Sequence, residues 1–160
     1  MSDYSFVDQV NAKLGKLIKK HGFSLNKSLS NISPGFQPTL LTFESKQCQL
    51  KIFIEHYRVY IQISALNTSD PNLWYNIDIM ACYSSSTPPS EWIYTLPRGV
   101  PISQVVDQQL VRWQKILENY IDRIIPLFTS KEKLCDNRVT LDAFVRNFYD
   151  EYRRVTSKQS

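Results

Sequence analysis

Glycine is scarce in this chain, with four in 160 residues, at Gly15, Gly22, Gly35 and Gly99. Loops that cradle phosphate need glycines close together so that backbone N–H groups can approach the anion, and this scatter excludes a P-loop or a dinucleotide fingerprint. Histidine is scarcer still, with only His21 and His56, and cysteine is limited to Cys48, Cys82 and Cys135. None of these residues stands in CxxC, HxxxH or CxxH spacing, so no metal site and no cofactor are expected. An odd, widely spaced set of cysteines fits packed thiols in a reducing compartment better than a disulfide framework. No apolar run approaches the roughly 18 residues needed to span a bilayer. The start, Met1-Ser2-Asp3-Tyr4-Ser5-Phe6, lacks the basic and apolar segments of a secretion signal. A cytoplasmic location with no membrane partner is the expectation.

Catalytic signals are equally thin. Ser84-Ser85-Ser86 lacks the flanking glycines of a nucleophile elbow and reads as flexible loop. Glu44, Glu55 and Asp78 fall on expected strands, and Asp107, Glu118 and Asp122 on the polar side of an expected helix. Spacing alone pairs none of them for acid–base work. His21 reads as a helix-end residue near the last carbonyls, and His56 as part of a hairpin turn.

What the chain does have is an ordinary globular composition, 42% hydrophobic, 12% aromatic and 21% charged. Its length suits one domain spanning 1–160, with ends at about 1–3 and 156–160 expected to fray. A net charge of +4 is too mild for a dedicated nucleic-acid binder.

Periodicity organises the chain as α+β. From Tyr4 to Ile18, Phe6, Val7, Val10, Leu14, Leu17 and Ile18 recur at steps of three and four, predicting a helix capped by Asp3 or Ser2 and ended by Gly22. Phe23 to Pro38, rich in Ser and Asn, reads as loop. Thr39–Glu44, Gln49–Glu55, Arg58–Leu66 and Leu73–Cys82 read as strands, with Leu50, Ile52 and Ile54, then Val59, Ile61 and Ile63, then Tyr75, Ile77 and Ile79 on core faces. The breaks between the first three are too short for crossover helices, which predicts antiparallel hairpins. Tyr83 to Pro101 reads as a long loop, with Trp92–Leu96 as an alternative short strand. Ser103 opens the main helix, laid against one sheet face and ended near Pro126. After a charged break from Thr129 to Arg138, Thr140 can cap a last helix carrying Leu141, Phe144, Val145, Phe148, Tyr149 and Tyr152. The expectation is an antiparallel sheet of four to five strands, one N-terminal helix and two C-terminal helices.

Three surfaces are candidates for function. The first is the second sheet face, where Phe53, Tyr60 and Trp74 stand among Lys51, Glu55, Gln62, Asn76, Asp78 and Met80. Large aromatics there can anchor a partner, or can be covered as a smaller second core by the last helix or the Trp92 loop. The second is the loop carrying Trp92, Tyr94 and Arg98, residue types enriched at interface hot spots. The third is the first helix with Lys13, Lys16 and Lys20, which can meet phosphate or lie as a solvated flank. The expected function is a small non-enzymatic binding protein, with a protein partner or self-association. This order of elements is similar in general character to small immunity-type and chaperone-type proteins, and no motif of either is present. The alternatives are nucleic-acid binding through the three lysines, and a small-ligand protein or hydrolase with a pocket under the Trp92 loop.

Overall fold

The computed structural model describes residues 5–157. Helix α1 spans Phe6–Lys20. It starts at Ser5, whose Oγ accepts from the Asp8 backbone while the Asp8 carboxylate accepts from the Ser5 backbone, a reciprocal capping box. That replaces the predicted caps Asp3 and Ser2, which lie outside the described residues. Past the C-cap His21, Gly22 takes φ +81°, a left-handed conformation that suits glycine.

The sheet has five strands in the order β1-β2-β3-β4-β5, all neighbours antiparallel. Strands β2 (Thr39–Glu44), β3 (Cys48–Glu55) and β4 (Arg58–Ala65) fall within a residue of their predicted bounds. Strand β1 (Ser24–Leu25) is a short edge strand inside the predicted loop, and an isolated bridge from Asn31 to Leu40 extends that edge. The β3–β4 turn places His56 and Tyr57 at φ +50° and +65°, as a two-residue hairpin loop requires.

The predicted fourth strand, Leu73–Cys82, is the main correction. Only Tyr75–Asn76 pair with the sheet, as β5, and Ile77–Ser85 form helix α2. Its Ile77, Ile79, Met80, Ala81 and Cys82 are all buried. A helix covered on nearly every side has no polar stripe, so its apolar run cannot be told from a buried strand by period alone. Ser84 and Ser85 close this helix rather than forming loop, and Ser86 ends it at φ +58°.

Helix α3 (Ile102–Ile124) passes into a 3₁₀ turn at Ile125–Phe128, around Pro126. Helix α4 then runs unbroken over Lys131–Ser157, so the expected charged break and the Thr140 cap are corrected. The Ser130 Oγ accepts from the Lys133 backbone at its start. Thr156 and Ser157 belong to the helix, while the rest of the ends expected to fray, 1–3 and 158–160, lies outside the described residues.

The core is one continuous cluster between the inner sheet face, α1, α2, α3 and α4. Ile52, Ile61 and Ile77 are fully buried, and Trp113 and Phe148 are nearly so. No helix among the described residues is long and apolar enough to cross a membrane.

Candidate functional site

One cleft of about 370 Å³ opens where the exposed end of β4 meets α2, α3 and α4. Its floor is fixed by two side chains of α3 that complete the free edge of β4. The Val59 N–H donates to Gln109 Oε1 at 2.8 Å, and Trp113 Nε1 donates to the Val59 carbonyl at 3.1 Å. Gln109 Nε2 also donates to the Tyr57 carbonyl at 2.7 Å, holding the hairpin loop. These contacts satisfy a strand edge that would otherwise be open to pairing.

At the base of the cleft Asp78, in the first turn of α2, faces Arg112 of α3 at 3.6 Å, each side chain 21% exposed. Arg112 Nη2 also donates to the Trp92 carbonyl at 3.0 Å, tying the 83–101 segment to α3. Burial raises the Asp78 carboxyl above the usual carboxylate range, with Arg112 pulling it back. Burial lowers the Arg112 guanidinium, with Asp78 opposing. Each charge is therefore held in part by the other.

Aromatic side chains wall the site. Trp92 ends a 3₁₀ turn at Pro89–Trp92, donates from Nε1 to Thr87 Oγ1 at 2.7 Å and packs edge-on against Tyr120 at 5.3 Å. The Tyr94 ring lies 5.0 Å from the Arg112 guanidinium, a cation–π arrangement. Tyr149 and Tyr152 reach in from α4, and Asn76 donates to the Tyr149 hydroxyl at 3.1 Å. The alternative strand over Trp92–Leu96 does not form.

The structure thus gathers three of the predicted contact residues, Trp92, Tyr94 and Tyr60, around one cleft. Phe53 stacks on Tyr60 at 5.0 Å and 19° but borders a separate groove on the outer sheet face. Trp74 is 8% exposed, with Nε1 donating to the Thr68 carbonyl and the Lys51 ammonium 4.0 Å above its ring. It is a plug at one end of that face, not a free anchor. Arg98 is exposed and borders neither opening. Of the three lysines on α1, Lys13 pairs with Asp107 at 3.4 Å, while Lys16 and Lys20 are exposed.

Sequence reasoning missed the Asp78–Arg112 pair, together with Arg58, because it placed Asp78 on a strand and Arg112 on a solvated helix side. One signal was present: Asp78 is the only charged residue between Tyr75 and Tyr83. A lone charge within a buried segment demands a partner.

Two further expectations resolve plainly. The His21 ring points to Asp122, with Nδ1 at 3.6 Å, instead of to the helix-end carbonyls. Cys48 and Cys82 are fully buried, and burial pushes both thiols up to about 11, which opposes thiolate chemistry. Among the described residues no group of three or more His, Cys, Asp or Glu side chains could hold a metal ion. No family model, curated protein or solved structure matches the chain.

Proposed function

We propose that this chain is a non-enzymatic binding protein and that the cleft between β4, α2, α3 and α4 holds a segment of a protein partner. The observation that supports this most is the convergence of Tyr60, Trp92, Tyr94, Tyr149 and Tyr152 on one opening with a single ion pair at its base. Tyr, Trp and Arg dominate interface hot spots because they bury large area at small cost in side-chain entropy. The floor is already bonded to α3 through Gln109 and Trp113, so little ordering is needed on binding. Among the described residues Asp78 is the one carboxylate lining the cleft, and none of them offers a second for paired acid–base work. The unpaired cysteines fit a reducing compartment such as the cytoplasm.

Affinity capture with wild-type protein and with Tyr94→Ala and Tyr152→Ala tests the reading, followed by titration of the purified partner. A partner held by wild type should be lost or weakened at least tenfold by either variant, about 1.4 kcal/mol. Identical capture by all three proteins overturns it.

A small-ligand reading shares the cleft, and its volume of about 370 Å³ suits a compact molecule. The nucleic-acid reading has less support, since Lys13 is turned toward Asp107. Self-association through the same cleft is the remaining form of the proposal.

A further inference from the structure

The charges in the cleft specify the group that it takes. Among the described residues three charged side chains line it, Arg58, Asp78 and Arg112, leaving a surplus of one positive charge. Both Asp78 oxygens are already engaged: Oδ1 accepts from the Ile79 backbone at 2.9 Å, and Oδ2 faces Arg112 at 3.6 Å. Donors are in excess. Arg112 uses Nη2 for both of its polar contacts, and its Nε and Nη1 have no partner among the described residues. The Arg58 side chain makes no hydrogen bond or ion pair among the described residues, although it stands near enough to Arg112 for the two charges to repel.

We infer that the cleft takes a carboxylate-bearing side chain of a protein partner, held by Arg58 and Arg112 between aromatic walls. This rests on the reading of the cleft as the partner site. A guanidinium presents five N–H donors in a planar fork that matches a carboxylate, so two half-buried forks with unused donors are built for an oxyanion. A cation would enter against two guanidiniums and find the only carboxylate occupied. A phosphate dianion would bring a second negative charge toward Asp78, whereas a monoanion balances the surplus. The rings of Tyr60 and Tyr94, which line the cleft, would stand beside the methylene stem of such a side chain, or a ring next to it. The net charge of +4 steers an acidic partner toward the chain.

The test follows the indole N–H signals of Trp92 and Trp113 by ¹⁵N–¹H NMR during separate titrations with benzoate, benzylammonium and phenyl phosphate. Trp74, which lines a neighbouring groove and not the cleft, is the internal reference. Benzoate should shift the two cleft indoles saturably and leave Trp74 unmoved. Arg58→Gln, which breaks no hydrogen bond or ion pair among the described residues, should weaken that binding about tenfold at a nearly unchanged melting temperature. Saturation by benzylammonium in place of benzoate overturns the inference, and tighter binding of phenyl phosphate reassigns the site to a phosphorylated group. If none of the three binds while Tyr94→Ala still abolishes partner capture, the cleft stands as the partner site and the carboxylate assignment falls. If benzoate binds and partner capture is indifferent to Tyr94→Ala, the partner reading fails and the site belongs to a free carboxylate.

Discussion

The two faces of the sheet are built from the same strands, yet one is closed and the other is half open. On the inner face Leu41, Ile52 and Ile61 stand abreast in register, at 1%, 0% and 0% exposure. One residue along, on the outer face, Leu40, Phe53 and Tyr60 stand abreast and are only half-buried. The difference lies in what crosses each face. Helices α1 and α3 close over the inner rows, with Leu17, Ile18, Leu117 and Ile121 meeting Leu50. Among the described residues the outer face carries the Trp74 plug at one end and α4 at the β5 rim, where Asn76 donates to the Tyr149 hydroxyl. Alternation decides which residues share a face, whereas the path of the helices decides which face becomes core.

Paired truncations measure that contrast. Ile61→Ala should cost about 3 kcal/mol, since the fully enclosed site cannot collapse around the lost atoms. Phe53→Ala removes a larger side chain but should cost about 1 kcal/mol, the value of a half-exposed ring and its stack on Tyr60. Urea denaturation of both variants is the measurement. Equal losses would mean that the outer face is as dry as the inner one.

The next largest effect is expected where the two faces meet α3. Gln109 is 3% exposed and satisfies both the Val59 N–H and the Tyr57 carbonyl. Gln109→Ala leaves those two backbone groups without partners and should cost about 2 kcal/mol. Amide exchange at Val59 should accelerate more than at Ile52, which pairs within the sheet. Unchanged Val59 exchange would show that water replaces the side chain freely and that the cleft floor is not preorganised.

Much of this architecture was legible because its periods are clean. Helix α1 buries one face and exposes the other, and strands β2 to β4 alternate an apolar inner face with a more polar, largely half-buried outer one, so a period of 3.6 or 2 is written into them. Legibility fails where burial is either total or sparse. Helix α2 is covered on nearly all sides, and its Ile77 and Ile79 mimicked strand alternation. Helix α4 fails in the opposite sense: only Leu134, Leu141 and Phe148 are buried, one residue every two turns, so its charged first turns passed for a break. The candidate site inherits both failures. Trp92, Tyr94 and Tyr60 could be named as aromatic anchors, but the Asp78–Arg112 pair depends on a misread helix and on a contact between residues 34 apart in sequence. Trp74, Arg98 and Phe53 carried the same compositional signal as the cleft aromatics, and composition does not say where a side chain points.

The smallest expected effect lies at the rim of the closed face, where Lys13 of α1 meets Asp107 of α3 at 3.4 Å with side chains 34% and 41% exposed. A pair this open is screened by solvent, so Lys13→Ala should cost no more than about 0.5 kcal/mol. Raising the salt to about 1 M, where the Debye length is about 3 Å, should erase the difference from wild type. The same variant separates the lysines of α1 from any phosphate-binding role. Lys13→Ala, Lys16→Ala and Lys20→Ala each remove one positive charge, so if Lys13 is committed to Asp107 each should lower retention of the protein on a polyanion column slightly and by about the same amount. A larger loss of retention from Lys13→Ala than from either neighbour would mean that the ion pair yields readily to a phosphate, and would move attention from the cleft to the outer side of α1.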